Sequence, residues 1–240
     1  MQTVLITGAS RGIGRATAEY FGERGWRVII NYNNSETAAN ELAASINQKG
    51  GEAHVFKTDV GNTDECKALV DFAVSFDGKI DALINNAAID EMSLFGELSC
   101  ERERRLFDVN LFGTMDCTRY ALPYMLREHS GAIVNVSSIW GQVGASCEVQ
   151  YSTSKAAIIG FTSALAKEVA PSGVRVNCVA PGVIDTDMNK NVSPEDLAAF
   201  CEDVPMCRMG TPREVAECIY FLASATYVTG QVLGIDGGLI

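Results

Sequence analysis

Short runs of β-branched and aliphatic residues alternate along the chain with helix-length stretches of amphipathic period. The runs fall at residues 3–7, 27–31, 54–57, 82–85, 132–136, 174–179 and 231–235, which predicts seven strands. The segments between them end as helices end: 14–24 is closed by Gly25, 36–49 by Gly50 and 156–170 by Pro171. Strand and helix in strict alternation imply parallel strands joined by crossover helices. No tandem repeat, low-complexity tract or Gly/Ser linker interrupts the alternation, so residues 1–240 read as one domain. The one long interval without a strand, 182–230, includes a helix near 212–224, and its first part, at about 183–210, is expected to serve as a substrate lid.

Composition narrows the functional classes. With 47% hydrophobic and 20% charged residues, and no run near the roughly 18 apolar residues a bilayer crossing needs, the chain is expected to be globular and not membrane-bound. The 19 basic and 30 acidic residues give a net charge of −11, which argues against a general attraction to nucleic-acid phosphates or anionic lipid. Eight cysteines without a C-x-x-C pair, and only two histidines, His54 and His129, offer no metal-ligand spacing, so no metal is expected. The first strand begins at the third residue with no basic region or cleavage site before it, and a cytoplasmic location with reduced thiols is the simplest expectation.

Two local patterns carry chemistry. The first strand runs into Thr7-Gly8-Ala9-Ser10-Arg11-Gly12-Ile13-Gly14, a glycine turn that opens a helix. Glycines there let backbone N–H groups and the positive helix end approach a pyrophosphate. The spacing G-x-x-x-G-x-G differs from the commoner G-x-G-x-x-G, and a glycine turn also serves merely to tighten a strand-to-helix joint; its place after the first strand favours nucleotide binding. The second pattern is Tyr151 and Lys155, four apart at the start of a helix and so on one face, with Ser138 just beyond the fifth strand. Ligands of open parallel sheets bind beyond the carboxyl ends of the strands, where these three residues and the glycine turn can converge. Taken alone, Tyr-x-x-x-Lys reads equally as an amphipathic helix with a snorkelling lysine.

Together with Asp59-Val60, Asn85-Asn86-Ala87, Asn110 and Pro181-Gly182, these motifs stand in the order and near the spacings of the short-chain dehydrogenase/reductase family, which the whole chain resembles. Within it the chain is most similar to the 3-oxoacyl-[acyl-carrier-protein] reductases, on the segments 179–188 and 227–238. Ala88 stands where the family usually has glycine. The resemblance implies an α/β fold of the doubly wound Rossmann type, with a seven-stranded parallel sheet flanked by helices on both faces. It implies an oxidoreductase in which Tyr151 gives a proton to a ketone oxygen while a nicotinamide delivers hydride. A phenol has an ordinary pKa of about 10, so Lys155 and the oxidised nicotinamide are expected to stabilise its anion. By the same resemblance Lys155 holds the nicotinamide ribose, Ser138 hydrogen-bonds the reacting oxygen and Asn110 anchors a proton-supplying water chain. Asp59 and Val60 flank the adenine, Asn86 lies on the adenosine ribose side, and Ile184 and Thr186, after Pro181-Gly182, meet the carboxamide.

Cofactor choice turns on the end of the second strand, which reads Ile30-Asn31-Tyr32-Asn33-Asn34-Ser35 with no carboxylate before Glu36. The missing acid and the guanidinium of Arg11 both point to NADP(H). The substrate is less determined. Few of the basic residues typical of carrier-protein reductases are present, although Arg102, Arg104, Arg105, Arg119 and Arg127 supply material for a patch. Between Ser138 and Tyr151 the chain carries Trp140, Cys147 and Glu148. Trp140 shortens an acyl tunnel, and Glu148, if it faces the pocket, favours a ketone with a positive group. That stretch resembles the reductases acting on the aminopentanone group of elongation factor P. The alternatives are that Glu148 points to solvent and Trp140 packs at a subunit contact. The expected function is NADPH-dependent reduction of a ketone, most like that of a 3-oxoacyl thioester on acyl carrier protein; the alternatives are a short, cationic or protein-linked ketone, and a silent NADP(H) sensor. Family members are mostly tetramers, and the apolar segment 228–240 suits burial in a homotetramer.

Overall fold

The computed structural model describes residues 1–188 and 193–240. All seven expected strands form: β1 (Thr3–Ile6), β2 (Arg27–Tyr32), β3 (Glu52–Lys57), β4 (Ala82–Asn85), β5 (Gly131–Val136), β6 (Val174–Pro181) and β7 (Val232–Ile235). They make one parallel sheet in the order β3-β2-β1-β4-β5-β6-β7. The order reverses between β1 and β4, and at such a switch point the connections leave to opposite faces and open a crevice above the strand ends.

The helices are α1 (Gly12–Gly22), α2 (Glu36–Gln48), α3 (Thr63–Val74), α4 (Cys100–Phe107), α5 (Gly113–Arg127), α6 (Trp140–Val143), α7 (Val149–Val169), α8 (Pro194–Asp203) and α9 (Pro212–Ser224). Helices α1, α2 and α9 cover one face, where Phe21, Leu42 and Ile219 pack on Val28, Ile30 and Val134. Helices α3, α5 and α7 cover the other, where Leu69, Met125 and Val169 pack on Leu5, Ile29 and Ile133. Strands buried on both faces explain the near-continuous apolar runs in the sequence. α9 fits its expected bounds and begins with a capping box between Thr211 and Glu214. α7 begins at Val149, so the amphipathic period at 156–170 is its later part, and Tyr151 and Lys155 lie in its first two turns, as their spacing implied. Of the expected lid at 183–210, residues 189–192 lie outside the described residues; the rest includes α8, opened by the Ser193 side chain accepting from the Asp196 N–H at 3.1 Å.

The turn after β1 is where the fold tolerates least change. Gly8 sits at φ +62°, and a Cβ there would lie 2.8 Å from the Ala87 Cα, a backbone atom that has nowhere to go. Gly8→Ala is therefore expected to lower stability by about 1–3 kcal/mol and to weaken nucleotide binding, measured by denaturant melts and nucleotide titration. A variant as stable as the parent would show that the turn is not so constrained.

Candidate active site

The loops leaving β1 and β4 are tied together by short polar contacts. Thr7 Oγ1 accepts from the N–H groups of Asn86 and Ala87, both at 3.0 Å. The Asn86 amide in turn donates to the carbonyls of Thr7 and Gly8 at 2.9 and 3.0 Å. Asn31 is 1% exposed, accepts from the Gly8 N–H at 2.9 Å and donates to the Thr58 carbonyl, so it braces the turn from beneath. Ser10 is buried, Ile13 packs against the core, and Gly12 at φ +54° faces Thr186, whose methyl would lie 3.4 Å from an added Cβ. α1 starts after Arg11 with no capping side chain and no acidic residue in its first turn. Its first N–H groups are thus left to a ligand, and the positive end of the dipole favours an anion there. Arg11 itself is exposed and makes no ion pair among the described residues.

Around the rest of the crevice, Asp59 accepts twice from Arg105 at 2.8 Å, beside buried Val60. Pro181 ends β6, and the Gly182 N–H continues to the Ile235 carbonyl at 2.9 Å. Ile184 is buried and bridges to Gly210.

Tyr151 and Lys155 lie one turn apart on α7, with Lys155 Nζ 5.5 Å from the centre of the phenol ring. Lys155 is 3% exposed, and its ammonium donates to the Val136 carbonyl at the end of β5 at 2.9 Å, which leaves two of its three donors for a ligand. Burial lowers its pKa to about 8. Ser138, two residues past β5, lies near the Tyr151 phenol and favours its ionised form, while its Oγ accepts from the Trp140 N–H at 3.2 Å. Asn110 lies in a wide π turn between α4 and α5 (residues 108–112), accepts from the Ile89 N–H at 2.8 Å and donates to the Ile89 carbonyl at 2.9 Å and Ser154 Oγ at 3.2 Å. Ser138, Tyr151 and Lys155 therefore meet at the strand ends, while Asn110 stands behind them and holds the loop that leaves β4.

The electrostatics differ from expectation at one point. The Tyr151 phenol is held well above its ordinary value, first by burial and then by the charges of Asp90 and Glu148; the nearby Ser138 opposes them. Lys155 does not reverse this in the protein alone. Glu148, directly before α7, is half-buried and pushed up to about 7 by burial and by Asp90. Asp90, which sequence reading passed over, is raised as well, chiefly by burial. Its only advance signal was an acidic side chain a few residues beyond β4, at the switch point. Cys147 is partly exposed at φ +62°, and Trp140 tilts against Phe200 of α8 with ring centres 6.1 Å apart. Four of the five arginines of the expected patch face carboxylates: Arg102 pairs with Glu91, Arg105 with Asp59, Arg119 with Asp116 and Arg127 with Glu128.

A doubly wound sheet with an open helix end at its switch point, and a Ser, Tyr, Lys set beside it, defines a dinucleotide-dependent oxidoreductase class. The chain belongs to the short-chain dehydrogenase/reductase family: the family model described as short chain dehydrogenase matches residues 2–197. It is 42% identical over 242 residues to a 3-oxoacyl-[acyl-carrier-protein] reductase of Synechocystis sp., covering all of this chain and 97% of that protein. It is 40% identical over 240 residues to the Bacillus subtilis oxidoreductase YmfI, covering 99% of this chain and 98% of that one. The crystal structure of a 3-oxoacyl-[acyl-carrier protein] reductase from Brucella melitensis superposes with a TM-score of 0.93 at 38% identity, over 99% of this chain and 91% of that chain.

The raised Glu148 makes a signed prediction. Below its ordinary 4.5 the carboxyl is protonated folded or unfolded; between 4.5 and about 7 only the folded chain keeps the proton, so stability falls as pH rises through this window. Glu148→Gln removes that loss. It is expected to gain on the order of 1 kcal/mol over the parent at pH 8, after allowance for solvent screening, and almost nothing at pH 4. Melts of both proteins across pH check this; a gain independent of pH would contradict the assignment.

Proposed function

We propose that the protein reduces a ketone to a secondary alcohol with NADPH. The reading rests above all on one juxtaposition: Ser138, Tyr151 and Lys155 beside the uncapped start of α1. The nucleotide supplies hydride when bound, and the donors present suit it. In this reading the α1 N–H groups and the backbone of Gly8, Gly12 and Gly14 take the pyrophosphate. Arg11 takes the adenosine phosphate, a group that no carboxylate on Asn31 or its neighbours through Ser35 would repel. Asp59 and Val60 border the adenine, Asn86 the adenosine ribose, and Ile184 and Thr186, beyond Pro181 and Gly182, the carboxamide. The two free donors of Lys155 suit a ribose diol.

Ser138 orients the ketone oxygen, and the Tyr151 hydroxyl donates the proton to it. The phenol carries its proton at neutral pH, as the donor role in reduction requires, and burial makes that proton harder to release, so the reading needs positive charge near Tyr151 in the bound state. Asn110 holds Ile89 and so shapes the pocket floor. In this reading α8, whose Phe200 tilts against Trp140, forms part of a lid over the pocket within a single domain. A sensor has no need of this acid and its partners, which weighs against the silent alternative.

The relatives' names put the 3-oxo group of a carrier-bound acyl thioester first among substrates to try. The decisive measurement is NADPH oxidation with acetoacetyl-acyl carrier protein beside acetoacetyl-coenzyme A. Tyr151→Phe is expected to lower the rate by about 10²–10⁴ while NADPH still binds. Unchanged turnover would overturn the assignment of the acid. Arg11→Ala is expected to weaken NADPH about tenfold and NADH little, read by fluorescence titration. Equal losses for both would remove Arg11 from phosphate recognition.

A further inference from the structure

Resting on the NADPH reading above, we propose that Arg105, on α4, is a positioning residue: it fixes the Asp59 carboxylate as an acceptor for the exocyclic amine of the cofactor's base, and so makes the protein select adenine over a 6-oxo purine. The backbone around Asp59 is already held from its own side. The Asp59 N–H donates to Glu65 Oε2 at 2.8 Å, Asn62 caps α3 by accepting from the N–H groups of Asp64 and Glu65, and the Val60 carbonyl accepts from the Cys66 thiol at 3.2 Å. What this loop does not fix is the direction of the carboxylate. That comes from 46 residues further along the chain, where Arg105 Nη2 donates to both Asp59 oxygens, each at 2.8 Å. The Gly61 N–H adds a third bond, to Oδ1, at 2.9 Å.

A carboxylate offers about four lone-pair sites. Arg105 occupies one on each oxygen and Gly61 a second on Oδ1, which leaves one open, on Oδ2. An open acceptor matches the N–H of an adenine amine and repels the carbonyl oxygen that a 6-oxo purine carries at the same place. Gly61 is itself part of the device. A Cβ there would collide with Arg105 Nη1, and the guanidinium, at the end of a flexible side chain, would have to leave the position from which it holds Asp59. The two side chains are 41% and 30% exposed, so the ion pair adds little to stability. Nor does α4 depend on it, being capped by Ser99 and anchored by buried Leu106. What the guanidinium supplies is order and charge: its rigid fork sets the carboxylate before the nucleotide arrives, and its positive charge keeps Asp59 from repelling the phosphates.

The test compares NADPH with its deamino analogue, reduced nicotinamide hypoxanthine dinucleotide phosphate, in which a carbonyl oxygen replaces the exocyclic amine. Binding of each is followed by the fluorescence of the reduced nicotinamide, and the quantity read is the ratio of the two dissociation constants. The parent is expected to prefer NADPH about tenfold, and Arg105→Ala to lower that preference to about twofold. Gly61→Ala is expected to do the same with every charge in place. In an Asp59→Ala background, Arg105→Ala is expected to change the ratio no further, because Arg105 acts through Asp59. Circular dichroism confirms that each variant is folded. Equal binding of the two nucleotides by the parent overturns the assignment. So does an Arg105→Ala protein that binds both more weakly but keeps the ratio, because the arginine would then act by charge alone or by holding α4. A further fall of the ratio in the Asp59→Ala background overturns the route through Asp59. A base preference that depends on Arg105, without any Tyr151-dependent NADPH oxidation on the thioesters, would leave this assignment standing and overturn the ketone-reductase reading. Binding of neither nucleotide would overturn both.

Discussion

A buried ammonium that forms no ion pair among the described residues, with only the more distant charge of Asp90 to favour it, organises the upper half of this protein. Lys155 rests on the Val136 carbonyl, and its depressed pKa reports the strain of that position. The surrounding chain is shaped to keep it there. Ser137 Oγ donates to the Lys155 carbonyl at 2.8 Å, joining the end of β5 to the second turn of α7. Gly141 on α6 approaches so closely that a Cβ would lie 2.7 Å from the Lys155 carbonyl carbon. Replacing the lysine by an apolar side chain of similar volume would relieve the desolvation, as it does for buried charges generally. That the chain carries the charge instead is a constraint on stability set by the chemistry of the site.

The same preference for polar contacts over apolar packing continues beneath the site. Asn85 on β4 donates to Asn135 on β5 at 2.9 Å and to Thr118 on α5 at 3.0 Å; Asn135 donates to Thr162 on α7 at 2.9 Å. Hydrogen bonds are directional where apolar contacts are not, so this buried chain fixes the register of α7 against the sheet. The consequence reaches Tyr151 and Lys155, which ride on the first turns of that helix. Asn110 does comparable work on the facing loop through Ile89, and with it Asp90.

These polar contacts also explain what could be read from the chain beforehand. The strands and most helices announce themselves because their buried faces are apolar and their periods survive in the sequence. The apolar period of α7 starts only at about residue 156 because Gln150, Ser152, Ser154 and Lys155 are buried polar residues on the face where hydrophobic ones would mark a helix; its first turns were legible only through the Tyr151–Lys155 spacing. α8 was missed, although Ser193-Pro194-Glu195-Asp196, a capping residue followed by proline and acids, marks its start. Tyr151, Lys155 and Ser138 are recognisable by spacing. The structural duty of Asn31 was not, since its partners Gly8 and Thr58 come from separate loops. Asp90 escaped for the same reason: the contact between the Ser93 N–H and the Cys147 carbonyl that joins its loop to the one before α7 is encoded by no local pattern.

Proton transfer gives these placements a common logic. A phenol buried among carboxylates carries its proton at neutral pH but gives it up more reluctantly than one in water. Giving the proton up creates an anion in that same environment, and the transfer is then uphill unless positive charge is at hand. Lys155 contributes some, but its own burial limits how firmly it stays charged as pH rises past about 8. Asp90 and Glu148 subtract from what remains. The protein's own groups therefore favour the phenol over the phenolate. Burial raises the phenol and depresses the ammonium through one physical cause, so the proton is held on Tyr151 and the positive charge on Lys155 is weakened together.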